Sequence, residues 1–213
     1  SGASLSDIDV INNRPTLAQT LAAPNGERLT VFVNHFKSRG CDGATGLDAD
    51  QGDGQGCYNA RRLLQAQRLS SFIGEVQTAG GADDAVLIGD FNAYAQEDPM
   101  NQLTAVSGLV DQIGRFNAFG YSYVFDGAAG RLDQALTTPS LSAKVSSALE
   151  WHINADEPSV LDYNTEFKQP LCATCGPDLY TADAYRSSDH DPVLVGLVIV
   201  KQILGTTGKD KLV

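Results

Sequence analysis

The chain has 213 residues, 42% of them hydrophobic, with 15 Lys and Arg against 26 Asp and Glu. That length buries one globular core, and the formal net charge of −11 repels polyanions at long range. A phosphate-bearing substrate would therefore need a local basic patch or metal cations at its site, and no apolar run approaches the ~20 residues of a membrane span. The opening SGASLSDIDV lacks the charged and apolar regions of a secretory signal.

Asn12-Asn13-Arg14-Pro15 reads as loop, with Arg14 a candidate phosphate contact. An exposed loop arginine is more usually just solvated. Arg28 to Asn34, RLTVFVN, alternates and is β-branched, which predicts a strand with His35 at its end. Residues 40–57 form a loop rich in Gly and Asp, bracketed by Cys41 and Cys57. With Cys172 and Cys175, four cysteines allow three pairings. The local pairing, Cys41 with Cys57 and Cys172 with Cys175, is the simplest. A crosslink over the first loop would lower unfolded-state entropy by an amount worth ~3 kcal/mol. Zinc is the rival for Cys172-Ala-Thr-Cys175, but the first pair lacks that spacing. An even count favours an oxidising compartment, hence secretion. Within the loop, Asp48, Asp50 and Asp53 crowd together with glycines. They are a candidate Ca²⁺ site, although Gly52 stands where an EF-hand has Asp or Asn, and Asp53 where it has Gly. The alternative is an acidic surface loop.

Tyr58 to about Val76 has helical spacing with no proline, and Thr78-Ala-Gly-Gly81 ends it. Ala85 to Gly89, AVLIG, is a short apolar strand with Asp90-Phe91-Asn92 at its exit. Asp98-Pro99 predicts a helix capped by Asp98, with Pro99 at the first position, running to about Val106. Tyr121–Phe125 and Leu132–Leu136 read as strands joined through the hairpin signal Asp126-Gly127. Trp151–Asn154 is expected to be a further strand. Val193–Val200 is the last, apolar on both faces, and it follows Ser187-Ser188-Asp189-His190-Asp191-Pro192. Asp191 is expected to cap or solvate that turn and His152 to be structural. Residues 1–200 would form the domain. Residues 201–213 would be a linker or the start of a repeat region, since Gly205–Val213 is similar to one unit of calcium-binding Gly-Asp repeats.

His35, Asp90 with Asn92, Asp133, and Asp189 with His190 each fall where a strand begins or ends. One such residue simply solvates an edge. Four sites on separate strands point to one shared pocket.

The motifs Asn34-His35-Phe36-Lys37-Ser38, Gly89-Asp90-Phe91-Asn92, Arg131-Leu132-Asp133-Gln134 and Ser188-Asp189-His190-Asp191-Pro192 resemble the endonuclease/exonuclease/phosphatase superfamily. Their order and spacing are similar to its carboxy-terminal two thirds. The cysteine-bracketed loop after Asn34-His35-Phe36-Lys37-Ser38 resembles secreted bacterial extracellular nucleases in particular. The resemblance implies an α/β four-layer sandwich of two mainly antiparallel β-sheets flanked by helices. It implies hydrolysis of DNA or RNA phosphodiesters with Mg²⁺ or Mn²⁺ as cofactor. It also implies roles. Asp90 would activate water or sit near the metal, and Asn92 would position it or bind a phosphate oxygen. Asp189 would lie at the metal. His190 would face the scissile phosphate, held in one tautomer by Asp133, with His35 as a second phosphate-facing imidazole. A nuclease also needs a groove with scattered cations, for which Arg14, Lys37, Arg39, Arg61 and Arg62 are the candidates, although helical spacing turns at most one of Arg61 and Arg62 toward the site.

The resemblance further implies an early strand ending in a metal-binding Glu, and none stands before His35. The amino-terminal strands are therefore expected to be missing, or supplied by a second polypeptide. A chain standing alone would then have little activity. A phosphomonoesterase of the same superfamily and a non-catalytic Ca²⁺-binding module are the alternative functions.

Overall fold

The computed structural model describes residues 2–4, 14–162 and 179–199. Cys172, Cys175 and the 201–213 tail lie outside the described residues.

The first sheet starts with β1 (Gly2–Ser4) and β2 (Leu17–Ala22), ahead of the expected strand, β3 (Arg28–His35). β2 had no strong strand signal. It forms because Pro24-Asn25-Gly26 turns the chain back, with Gly26 N–H on Ala23 O and Asn25 Oδ1 accepting from Glu27 N–H. The turn pairs Leu17 with Val33 through to Ala22 with Arg28. α1 (Asn59–Thr78) follows as expected and presses Ala66, Leu69, Phe72 and Ile73 onto the sheet. β4 (Ala85–Asp90) then runs parallel to β3.

α2 (Asp98–Asn101), continued by a π-helical turn over Gln102–Val106, starts one residue earlier than expected. Glu97 occupies the cap position and Asp98 is the first helical residue. The reason is non-local: the Asp98 N–H donates to Gln55 Oε1 of the disulfide loop, which does the work of a cap. β5 (Val110–Asp111) leads into α3 (Gln112–Phe116), where Asp111 does cap, accepting from Gly114 N–H.

Asp126-Gly127 is a turn, with φ of 48° and 77°, as a two-residue type I′ hairpin requires. It joins β6 (Tyr123–Phe125) to β7 (Ala128–Gly130), and not to the Leu132–Leu136 strand as expected. The latter is β8 (Asp133–Thr137), antiparallel to β4 in the first sheet. α4 (Pro139–Ser142) leads to β9 (Val145–Glu150), which was not expected and pairs with β10 (Val193–Leu197). Trp151–Asn154 is not a strand. Asp191 takes the backbone N–H groups of residues 153–155 out of any ladder. β10 is shorter than expected and only half buried, with Leu194 47% exposed.

The first sheet has the order β1-β2-β3-β4-β8-β5, parallel only between β3 and β4. One face packs on α1 and α2 through Phe32, Phe36, Leu69, Leu87, Phe91 and Leu103. On the other face Ile88 and Ala135 meet Ala148, Val193 and Val195 of the β9–β10 sheet, together with Ile113 of α3. The result is a mixed α/β fold of facing sheets flanked by helices. Among the described residues, no helix is long and apolar enough to cross a membrane.

Candidate active site

Sheet register builds the site. His35 is the residue opposite Asp90, and Asp90 is opposite Asp133. The ends of β3, β4 and β8 therefore place an imidazole and two carboxylates in one row. Residue pairs directly opposite in a sheet share a face, so the three side chains converge. Gly89 makes that alignment possible. Its φ is +123°, and a Cβ there would lie 2.1 Å from Asn34 O. Asn34 is itself buried, accepting from Thr16 Oγ1 at 2.8 Å and donating to Phe32 O and Ile88 O.

Asp90 is held by Asn92, which donates its backbone N–H to Oδ1 (2.7 Å) and its Nδ2 to Oδ2 (2.8 Å). Asn92 adopts a left-handed conformation, φ 48°, tolerated because its amide also anchors on Phe36 O. Burial, then the charge of Asp133, pushes the Asp90 pKa up to about 6. The Asp133 carboxylate receives His190 Nδ1 at 2.5 Å and Ser122 Oγ at 2.7 Å. With Nδ1 committed, Nε2 is the His190 nitrogen left for chemistry. Burial works against the charged imidazole, but the Asp133 bond and charge outweigh it and raise its pKa to about 9. His35 Nε2 accepts from the Arg14 guanidinium and lies 3.4 Å from Asp90 Oδ2. Burial first, then the Arg14 charge, lowers its pKa.

These residues line one cavity of about 820 Å³, together with Asp189, Ser38, Arg39, Tyr94, Tyr123 and Phe125. The structure thus brings together His35, Asp90, Asn92, Asp133, Asp189, His190 and Arg14. Among the described residues, Asp90, Asp133 and His190 are the one group of three acid or imidazole donors within 4.8 Å of one another. Two carboxylates this close, one of them raised to about 6, form a hard-oxygen site that a divalent cation would relieve. Asp189 is exposed at the rim, outside that cluster.

Other expectations are corrected. Lys37 does not line the cavity: its Nζ sits 4.1 Å over the Tyr58 ring and bonds Ser38 Oγ. Arg62 is fully buried and donates to Cys57 O and Gln55 O, fastening the disulfide loop. Arg61 pairs with Asp48 at 3.0 Å. Among the described residues, Asp48, Asp50 and Asp53 do not form a group of three donors within 4.8 Å of one another. Asp50 and Asp53 each accept the backbone N–H two residues on, from Gly52 and Gln55. The Cys41–Cys57 disulfide is present, with Cα atoms 5.2 Å apart.

Sequence reasoning missed four supports. Ser122 fixes Asp133 and takes the N–H groups of Leu132 and Asp133. Asn154 Nδ2 donates to His190 O. Asp191, far from solvating its turn, is buried and accepts from Ile153, Asn154, Ala155 and His152. Glu97 receives Arg39 at 2.6 Å. Each is polar and buried because of a partner distant in sequence, and no local pattern marks it.

A family model described as "Endonuclease/Exonuclease/phosphatase family" matches residues 7–190. No curated protein matches the chain. Several solved structures share the fold. An endonuclease/exonuclease/phosphatase family protein from Bacteroides thetaiotaomicron aligns at a TM-score of 0.56 and 16% identity, over 92% of this chain and 62% of its own. A mannosyl-6-phosphatase from the same organism gives 0.54 and 17%, over 87% and 58%. A 3′ phosphatase from Neisseria, bound to product DNA hairpin, gives 0.52 and 15%, over 93% and 70%. The chain thus spans about 60% of the length of the first two structures.

Proposed function

The chain belongs to the endonuclease/exonuclease/phosphatase family, whose members are metal-dependent hydrolases of phosphate esters, and from that premise we propose that it carries the catalytic residues of a secreted nuclease cleaving phosphodiesters of extracellular DNA or RNA. The observation that supports this is the row His35–Asp90–Asp133 with His190 clamped on Asp133 in one open cavity. The Cys41–Cys57 disulfide supports an oxidising compartment.

In this reading water attacks phosphorus, a new P–O bond forms and the ester P–O bond breaks. Asp90, oriented by both Asn92 donors, takes the proton from water. His190, protonated at Nε2 and held by Asp133, neutralises the phosphoryl charge and protonates the leaving oxygen. Arg14 and His35 bind the non-bridging oxygens. Mg²⁺ or Mn²⁺ would be held at the Asp90–Asp133 carboxylate pair, with Asp189 at the rim reaching it through water, and would supply a Lewis acid to the phosphoryl group. The solved neighbours include both a DNA-bound 3′ phosphatase and a mannosyl-6-phosphatase, so the assay below sets nucleic acid against a small phosphomonoester.

Leu17, Leu21 and Val33 stand about half exposed on the face of β2 and β3 that Ile88 of β4 shares, away from α1. A strand-bearing second polypeptide covering that face is part of the proposal. The test is hydrolysis of a fluorescent oligonucleotide with Mg²⁺ or Mn²⁺, beside a chromogenic phosphomonoester. A nuclease cleaves the first preferentially and loses it in His190→Ala. Preference for the monoester would make the protein a phosphatase. Binding without turnover would make it a non-catalytic module.

A further inference from the structure

The cavity has two chemically different sides. One carries the phosphate chemistry. The other is a wall of Tyr94, Tyr123, Phe125 and Leu132, for which hydrolysis has no use. We propose that this wall is a stacking platform for an unpaired nucleobase beside the scissile phosphate, with Phe125 as its exposed ring. The proposal rests on the nuclease reading above and names how that site grips its substrate.

Three rings run in series outward from the reacting centre. Tyr123 lies 4.7 Å from the His190 ring, tilted by 34°. Phe125, two residues on along the same strand and so on the same face, lies 6.4 Å from Tyr123 with planes 11° apart. A flat group on a phosphate held at His190 meets these faces next. Phe125 is 62% exposed. Its backbone is fixed, because it occupies the last paired position before the type I′ turn, opposite Ala128. Its facing strand is Ala128-Ala129-Gly130, too small to cover a ring. Gly130 is required there: a Cβ would come within 2.4 Å of the Tyr94 ring. Tyr94 is thus pressed against the hairpin, with the Arg39 guanidinium 4.6 Å from its centroid. Tyr94 and Tyr123 are thus packed against neighbours before any ligand arrives, which lowers the ordering cost of binding.

Charge argues the same way. The chain carries a net charge of −11, and the Arg39 guanidinium facing the cavity is already matched by Glu97. Long-range attraction for a polyanion is weak, so affinity must come from short-range contact. Base–aromatic stacking supplies it without sequence preference. Aromatic rings also accept the C–H face of a hexose, so the test below includes a hexose phosphate as competitor. A base inside a duplex has both faces covered by its neighbours, so the platform selects single strands and frayed ends.

The test measures binding of the 213-residue chain in EDTA, so that turnover plays no part. Two fluorescent oligomers of equal length and charge are compared: single-stranded oligothymidylate and its abasic tetrahydrofuran counterpart. The wild type is expected to prefer the base-bearing oligomer by about fivefold or more, from the weaker end of measured stacking contributions upward. Phe125→Ala removes the preference and leaves the abasic affinity unchanged, and Phe125→Trp restores it. An unchanged melting temperature shows that the exposed ring was not holding the fold. Equal affinity of the wild type for both oligomers, or a preference that survives Phe125→Ala, overturns the platform. So does displacement by a hexose phosphate that depends on Phe125 while base preference is absent. A Phe125-dependent base preference without any metal-dependent cleavage would keep the platform and defeat the nuclease reading instead.

Discussion

Removing the Asp191 side chain should cost more than removing any residue that lines the cavity. Its carboxylate has no exposed surface. Oδ1 accepts from the N–H groups of Ile153 (3.2 Å), Asn154 (2.9 Å) and Ala155 (2.9 Å), and Oδ2 accepts from His152 Nδ1 (2.7 Å). Asp191→Ala orphans three backbone donors at once. Each buried unmet donor costs ~1–3 kcal/mol. Water entering the vacated space recovers part of this, so a total of ~3–5 kcal/mol is expected. At ~2–4 °C per kcal/mol for a chain of this size, the melting temperature falls by ~10 °C. Acid provides a second check. Burial tends to raise the Asp191 pKa, but the Ala155 and Asn154 N–H groups and His152 hold it below the usual carboxylate value. A depressed folded-state pKa contributes stability that is present above the unfolded value of ~3.9 and lost as pH falls through the lower folded value. The wild-type advantage over Asp191→Ala should therefore be full at neutral pH and shrink in strong acid. Thermal melts of both proteins at neutral and acid pH measure this. Equal melting temperatures at neutral pH, or a gap that widens in acid, would refute the reasoning.

Gly89→Ala should be as severe, because its Cβ would meet Asn34 O at 2.1 Å between paired strands. A loss of ~4 kcal/mol or more is expected, read as soluble yield and melting temperature. Asp133→Asn should cut kcat by about 10²–10⁴-fold and lower the melting temperature at neutral pH and below, because it removes the bond that raises the His190 pKa in the folded state. The His190 pKa, followed by NMR, would fall from about 9 toward the ordinary ~6.5. Replacing Cys41 and Cys57 by Ser frees a loop with a sequence separation of 16 and should cost ~3 kcal/mol, measured as a lower denaturant midpoint.

The strands of the central sheet differ in how far they were legible. β3 and β4 were, because RLTVFVN alternates and AVLIG is continuously apolar. β2, LAQTLA, and β9, VSSALE, carry little β propensity. They are strands because β3 and β10 pair with them, and pairing is non-local. The Asp126-Gly127 turn was legible, but its partner β7 contains only Ala and Gly and so carried no strand signal. His35, Asp90 and Asp133 could each be placed at a strand end. Their alignment into one row depends on register across three strands, which no local pattern encodes. Lys37 and Arg62 illustrate the same limit for charges. Tyr58 draws one away from the cavity, and backbone carbonyls bury the other.

The most direct test of the central claim compares wild type with His190→Ala on a fluorescent single-stranded oligonucleotide, with Mg²⁺ or Mn²⁺ and with EDTA. The rate itself can be slow, since its dependence is what decides. The account predicts cleavage that requires the divalent ion and falls by about 10²–10⁴-fold in the variant. Cleavage that proceeds equally in EDTA, or equally without the His190 imidazole, would contradict it.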